Sequence, residues 1–132
     1  WESLDGMIAN MEIISIHTPL TPSTANIVNA ERLKRMQTNS VLINTSRGGL
    51  IDEDALIENL KTGRITAAAL DVFDGEPSIN PKFMELENVV LLPHLGSATL
   101  EGRIAMGEKV ILNAKQFTEG YPPPDKLIRD LP

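Results

Sequence analysis

Five polar residues with catalytic or binding chemistry each follow a short apolar run in this chain. The runs are EIISI before Thr18, VLIN before Arg47, TAAAL before Asp71 and Glu76, and VVLL before His94. If these runs are parallel strands, all five residues lie at the carboxyl edge of one sheet, where open α/β sheets bind ligands. An arginine, a glutamate and a histidine gathered there could bind and protonate a 2-oxo acid, so the pattern predicts an enzyme.

Arg47 lies in the segment NTSRGG, where the chain leaves the second apolar run. Its planar guanidinium can donate two parallel hydrogen bonds to a carboxylate. Gly48 and Gly49 would let the backbone approach a ligand closely, and we expect a helix N-terminus, which favours negative charge, directly after them. The alternative is a surface arginine in a turn, and Arg47 taken alone leaves both open.

His94 follows Pro93 directly after the last apolar run, and Glu76 lies in the loop after the preceding one. Histidine titrates near neutral pH, and a neighbouring carboxylate favours its charged form, so this pair could hold and deliver a proton. The competing interpretations are a structural histidine at a strand end and a solvated glutamate beside Pro77.

Asp71 is a carboxylate at the end of an apolar run, and a buried carboxylate needs a hydrogen-bond donor. At a strand's carboxyl end a cofactor amide could supply one; the alternative is a helix cap or a local turn. His17 has no carboxylate close after it, so we interpret it as structural or cofactor-adjacent. The two histidines lie far apart without ligand spacing, and we predict no metal site.

The elements that would position these residues alternate between strand and helix. The sequence predicts strands over 12–16, 41–44, 66–72 and 88–92, and helices over 3–10, 30–37, 53–62 and about 97–119, with a short helical turn over 81–86. The expected caps are Ser3, Asn29 and Asp52, and Gly63 and Gly120 would end the last two helices. The strands are continuously apolar, as expected when helices cover both faces of a sheet. The predicted fold is α/β, half of a doubly wound parallel sheet, with a poorly anchored Pro-rich tail.

Composition excludes several classes of function. A net charge of −6 without any Lys/Arg cluster argues against a nucleic-acid partner. No apolar stretch reaches the roughly 20 residues of a membrane helix, and no signal peptide precedes the first element. The absence of cysteine fits a cytoplasmic protein. Because the chain opens on Trp1 rather than Met, we expect sequence upstream of it.

Four segments, HTPLTPST, NTSRGGLIDEDAL, AALDVFDGEP and NVVLLPHLGSAT, carry a family resemblance over about Met7 to Gly120. In order and spacing they closely resemble the carboxyl-terminal part of the D-isomer-specific 2-hydroxyacid dehydrogenases, which include glyoxylate/hydroxypyruvate reductases, D-lactate dehydrogenases and D-3-phosphoglycerate dehydrogenase. The resemblance implies a Rossmann-like half-domain with a long carboxyl-terminal helix, and NAD or NADP as cofactor.

By that resemblance Arg47 binds the substrate carboxylate, His94 is the acid/base, and Glu76 orients His94 and keeps it protonated. The residues that would contact the nicotinamide half of the cofactor are Thr18, Thr45, Ser46, Arg47, Asp71, His94, Gly96 and Ser97. The substrate would be a small 2-oxo or 2-hydroxy acid. The tail NAKQFTEGYPPPDKLI looks most like the glyoxylate/hydroxypyruvate reductase branch, and family members are typically homodimers.

The family's G-x-G-x-x-G phosphate loop and its substrate-binding domain are absent from this sequence. We therefore expect residues 1–96 to be the second half of an NAD(P)-binding Rossmann domain, and residues 97–132 to be a helix and tail that pack back toward an absent substrate domain. Such a fragment would be inactive by itself. The alternatives are a non-catalytic nucleotide-sensing regulator on the same fold and a free-standing α/β interaction module.

Overall fold

A computed structural model describes residues 2–126 of the chain, which divides after Gly96 into two compact units. The first unit is built on a four-stranded, all-parallel sheet, so the predicted α/β class is confirmed. Its strands are β1 (Ile13–Ile16), β2 (Val41–Asn44), β3 (Ala67–Leu70) and β4 (Val89–Leu91), hydrogen-bonded in the order β1-β2-β3-β4. Each predicted strand is present, and three are shorter than expected.

The helices of the first unit are α1 (Leu4–Asn10), α2 (Ala30–Arg35) and α3 (Glu53–Lys61). Their predicted caps are confirmed, since the side chains of Ser3, Asn29 and Asp52 each accept a backbone N–H from the first turn. Two 3₁₀ turns, Gly48–Leu50 and Pro81–Glu85, complete the unit.

Within the first unit the helices cover one face of the sheet. Because the strand order follows the chain order, right-handed crossovers place α2 and α3 on the same side. Burial therefore alternates along β1, β2 and β3, and Ile13 and Val90 on the other face remain 67% and 58% exposed. The expectation that helices cover both faces is thus wrong within residues 2–96. The core holds Leu33, Leu42, Leu50, Leu56, Ile57, Ile65 and Phe83, all fully buried.

The second unit contains α4 (Leu100–Thr118), the predicted long carboxyl-terminal helix. It begins at Leu100, three residues later than expected. Its N-cap is Thr99, whose side chain accepts the backbone N–H of Gly102. The tail was expected to be poorly anchored, but Asp125 bonds to Asn113 and Lys109 of α4. The last tail residues, 127–132, lie outside the described residues. In residues 2–126 no helix is long and apolar enough to cross a membrane.

Candidate active site

Loops that follow the four strands bring the predicted site residues of the first unit to one edge of the sheet. Parallel strands point the same way, so the chain emerges at this carboxyl edge after β1, β2, β3 and β4 in turn. The site residues in these loops are Thr18, Thr45, Ser46, Arg47, Asp71, Glu76, His94 and Gly96. The remaining one, Ser97, is the first residue of the second unit.

His94 and Glu76 form a direct pair, as their sequence positions suggested. Nδ1 of His94 lies 2.7 Å from Oε2 of Glu76, and Oε1 of Glu76 accepts the amide N–H of Phe73 at 2.8 Å. The bond from His94, and after it the Phe73 amide, lower the pKa of Glu76 from its ordinary value of 4.5. With Nδ1 engaged, Nε2 is the ring nitrogen left to exchange a proton with a substrate.

Asp71 holds the loop that carries His94. Its side chain is only 5% exposed, and its two oxygens accept the amide N–H groups of Leu95 at 2.7 Å and Gly96 at 3.0 Å. His94 itself has φ +54, in the left-handed region, directly before the two clamped amides. The chain therefore supplies the donors that the sequence argument assigned to a cofactor amide. Each carboxylate oxygen keeps a further lone pair, and the cofactor contact of Asp71 stays a prediction.

Arg47 is exposed, and its guanidinium is available to an anion. Nη1 donates to the carbonyl oxygen of Ser46 at 2.6 Å, and among residues 2–126 no carboxylate lies within ion-pair distance of it. Its positive charge contributes, as the smallest of the causes, to the lowered pKa of Glu76. A cation placed beside the His94–Glu76 pair can bind the carboxylate of a small acid while His94 protonates the adjacent oxygen.

The backbone before Arg47 is fixed by two polar side chains. Asn44, at the end of β2, is fully buried and bonds to the carbonyl of Arg47 and the amide of Ser46. The hydroxyl of Ser46 donates to the carbonyl oxygen of Ile16 at 3.0 Å, which ties this loop to the end of β1. Three bonds thus determine the course of the chain into Arg47.

Gly48 joins the Arg47 loop to the loop that leads to Glu76. A Cβ built on Gly48 would overlap the backbone of Phe73 and Asp74. The close approach that the sequence argument assigned to a ligand is therefore made by the chain itself. The helix expected directly after the glycines is also displaced, because a 3₁₀ turn intervenes and α3 begins only at Glu53.

Glu53 strengthens the same junction from the first turn of α3. Its Oε1 accepts the amide N–H of Asp74 at 2.7 Å. Burial raises the pKa of Glu53, and the Asp74 amide partly opposes that effect. The loops after β2 and β3 are thus joined by backbone packing and by this carboxylate.

Two open pockets flank the site. One, of about 570 Å³, is lined by His17, Thr18, Pro19, Leu20, Ser46 and Arg47. The other, of about 340 Å³, is lined by Phe73, Glu76, Pro77, Ile79, Pro93 and His94. The hydroxyl and guanidinium donors of the first pocket fit the ribose hydroxyls and carboxamide of a nicotinamide nucleotide. His17 contacts this pocket and also bonds to Ser15 at 2.8 Å, which agrees with either interpretation given to it. In residues 2–126 no cluster of three potential ligands could hold a metal ion.

Sequence reasoning missed Asn44 and Glu53 as parts of the site, and it gave Gly48 a different role. Asn44 did carry a signal, because an amide that ends the buried run VLIN must find hydrogen-bond partners. The roles of Gly48 and Glu53 had no such signal, since their partners lie in a loop more than 20 residues away along the chain.

Comparisons with known proteins agree with this geometry. Residues 1–96 match the family model described as the D-isomer specific 2-hydroxyacid dehydrogenase NAD binding domain. The glyoxylate reductase of Thermococcus litoralis is 45% identical over 125 residues, which cover 95% of this chain and 38% of that protein. The description of the matched domain agrees with the predicted nicotinamide cofactor.

Two solved structures show the same fold. The TT0316 protein from Thermus thermophilus superposes with a TM-score of 0.92 at 39% identity, covering 96% of this chain and 41% of that one. An NADPH-dependent glyoxylate/hydroxypyruvate reductase from Sinorhizobium meliloti, in complex with NADP and malonate, gives 0.84 at 39% identity, covering 88% and 36%. The chain thus spans about two fifths of the length of its relatives.

Proposed function

The chain belongs to the D-isomer specific 2-hydroxyacid dehydrogenase family, and on that premise we propose that it forms part of an enzyme that reduces a small 2-oxo acid. The reaction transfers a hydride between NAD or NADP and a 2-oxo or 2-hydroxy acid of the glyoxylate or hydroxypyruvate kind. The observation that carries the proposal is the Phe73–Glu76–His94 hydrogen-bond chain beside the exposed Arg47.

Arg47 binds and orients the substrate. Within the described part of the chain its guanidinium makes one hydrogen bond, and it keeps further N–H groups for the carboxylate of the 2-oxo acid. The same cation polarises the neighbouring 2-oxo group and so favours negative charge on its oxygen. The 2-oxo acid is thereby oriented with its carbonyl oxygen toward His94.

His94 supplies the proton for the product alcohol. Nε2–H of His94 protonates the carbonyl oxygen of the 2-oxo acid as that oxygen becomes negative, and a nicotinamide held at this edge would supply the hydride for the carbonyl carbon. Glu76 stabilises the charged imidazole through Nδ1, and the Phe73 amide holds Glu76 in place. In the reverse direction, neutral His94 accepts the proton of the 2-hydroxy acid.

In the first unit the proposed contacts of the nicotinamide half of the cofactor lie along the same edge. They are Thr18, Thr45, Ser46, Arg47, Asp71, His94 and Gly96. Ser97, the first residue of the second unit, is proposed as a further contact. These residues fit that half only, because the glycine-rich loop that binds the pyrophosphate in this fold is absent from the chain. We therefore propose that residues 1–96 are the second half of a dinucleotide-binding domain in a longer, homodimeric, cytoplasmic protein, and that the isolated chain is inactive. Sequencing the coding DNA upstream of the Trp1 codon tests this, since an in-frame stop there would contradict it.

Two substitutions in the full-length protein test the catalytic roles. We expect His94→Gln and Arg47→Ala each to lower kcat/KM for glyoxylate by two or more orders of magnitude, while titration with NADH or NADPH shows that the cofactor still binds. Arg35→Ala is the matched control, because Arg35 is an exposed arginine of α2 whose partner is Asp5. Near-normal turnover in either site variant contradicts the assignment. Absence of turnover in the unmodified protein, with cofactor binding intact, favours the nucleotide-sensing regulator instead.

A further inference from the structure

A buried asparagine holds the backbone that carries Arg47. Asn44 is the last residue of β2 and is 0% exposed. Its Nδ2 donates to the carbonyl oxygen of Arg47 at 2.9 Å, and its Oδ1 accepts the amide N–H of Ser46 at 3.0 Å. Because a carbonyl can only accept and an amide N–H can only donate, one orientation of the Asn44 amide satisfies both bonds.

We propose that Asn44 is a positioning residue for substrate binding, which acts by fixing the direction in which Arg47 leaves the backbone. The proposal rests on the function proposed above for Arg47. The guanidinium itself is exposed and, among residues 2–126, makes a single hydrogen bond, to Ser46 of its own loop. Its position therefore depends on the backbone of residues 46 and 47, and Asn44 holds the N–H that begins this segment and the carbonyl that ends it.

The chemistry of position 44 supports this role. β2 is otherwise apolar, and an apolar residue at its end would suit the surrounding core. Such a residue would leave the amide of Ser46 without the partner it has now, and the carbonyl of Arg47 with only the longer bond from the Leu50 amide at 3.3 Å, at a cost that a buried hydrogen bond avoids. The buried amide of Asn44 thus gives the loop a defined conformation. A defined conformation is useful where the loop must present a cation to a ligand.

The test is a double-mutant cycle in the full-length enzyme with Asn44→Ala, Arg47→Ala and the double variant. The measured quantities are KM and kcat for glyoxylate and the inhibition constant of oxamate, an unreactive analogue of a 2-oxo acid. We expect Asn44→Ala to raise KM and the oxamate constant roughly ten- to hundredfold and to change kcat less. In the Arg47→Ala background the same substitution should change the oxamate constant less than about twofold.

Asn44→Asp is the second variant in case Asn44→Ala does not fold. Aspartate has the same size and still accepts the Ser46 amide, but when ionised it cannot donate to Arg47, so the oxamate constant should rise again. Asn59→Ala is the matched control. Asn59 is a buried asparagine of α3 that donates to Ala55, and its loss should lower the Tm without changing KM.

Two results overturn the proposal while the function proposed for Arg47 stands. The first is an equal rise of the oxamate constant in both backgrounds, which would mean that Asn44 acts on the fold in general. The second is an unchanged oxamate constant in both folded Asn44 variants. Wild-type oxamate inhibition in Arg47→Ala overturns the substrate role of Arg47, and the inference about Asn44 fails with it.

Discussion

Asparagine side chains hold the backbone at both edges of the parallel sheet, and the two edges use them differently. At the carboxyl edge Asn44 bonds to the amide of Ser46 and the carbonyl of Arg47. At the amino edge Asn88 donates to the carbonyl oxygens of Leu60 and Thr66, both at 3.1 Å. Both residues make two bonds to the main chain, but only the segment held by Asn44 carries an exposed side chain with proposed chemistry.

The two edges contribute differently to the candidate site and to the stability of the fold. At the carboxyl edge, buried Asn44 and Asp71 hold segments that carry the exposed side chains of Arg47 and His94, to which we have assigned the proposed chemistry. At the amino edge, Asn88 links the end of α3 to the start of β3, where no site residue lies. We therefore expect substitutions at the carboxyl edge to change the kinetic constants, and those at the amino edge to change stability alone.

The largest effect should come from Gly48→Ala, because the new methyl group would overlap the backbone of Phe73 and Asp74. Overpacking against side chains costs about 1–3 kcal/mol. Here the overlapped atoms belong to the backbone, which cannot move aside as a side chain can. Separation of the loops would move Arg47 away from Glu76, so kcat/KM for glyoxylate should fall by roughly a hundredfold or more. The measurements are kcat/KM and the Tm of the full-length enzyme.

Gly49→Ala is the control for that prediction. A Cβ on Gly49 would meet the side chain of Leu20 at 3.1 Å, and a leucine methyl group can move aside. We expect nearly normal activity and Tm. Equal behaviour of the two alanine variants would show that the contact between the Arg47 and Glu76 loops is not needed, and the distinction between the edges would weaken.

An intermediate effect is expected for Glu76→Gln. The glutamine can still accept the Phe73 amide, but it removes the negative charge beside His94. The uncharged amide stabilises the charged imidazole less than a carboxylate does, so kcat/KM for glyoxylate should fall by roughly ten- to hundredfold. An unchanged kcat/KM would exclude Glu76 as the group that supports His94.

The same variant also tests how Glu76 affects the stability of the fold at acid pH. The pKa of Glu76 is lowered in the folded protein, so its ionised form stabilises the fold above its ordinary value of 4.5, and that contribution is lost as the pH falls through the lowered pKa. Glu76→Gln has no such group, and the decline of its Tm in acid should be less steep than that of the wild type.

Local pattern was sufficient to predict most of the fold. Each strand is an apolar run bounded by residues that stop it, and Ser3, Asn29 and Asp52 stand where an N-cap is needed. The start of α4 was missed because hydroxyl residues at Ser97 and Thr99 can both cap a helix, and only their backbone geometry separates them. One-sided coverage of the sheet was missed because it follows from strand order, a nonlocal property.

The placement of the candidate site residues could be predicted from the sequence, but the contacts that support them could not. Arg47, Glu76 and His94 could be expected at one edge because parallel strands bring the polar residues that follow them together there, and their catalytic roles stay predictions. The donors to Asp71 come from residues 95 and 96, and the partner of Gly48 is the backbone near residue 73. Which loops meet depends on how they pack, so these supports could be identified only from the three-dimensional structure.

The smallest effect, and the sharpest check on the comparison, is expected from Asn88→Ala at the amino edge. The substitution removes the side-chain donor to Leu60 and Thr66, and the loss of one part-buried and one exposed hydrogen bond costs about 1–3 kcal/mol together. The Tm of the full-length enzyme should fall by a few degrees, while KM, kcat and the oxamate constant stay within about twofold of wild type. Asn88 matches Asn44 in side chain and in its number of side-chain bonds to the backbone, so the two variants can be compared directly. The two edges have separate roles only if Asn88→Ala lowers the Tm without changing the kinetic constants. A rise in the oxamate constant as large as that of Asn44→Ala would mean that loosening either end of the strands disturbs Arg47, and the sheet would then position the site as a whole.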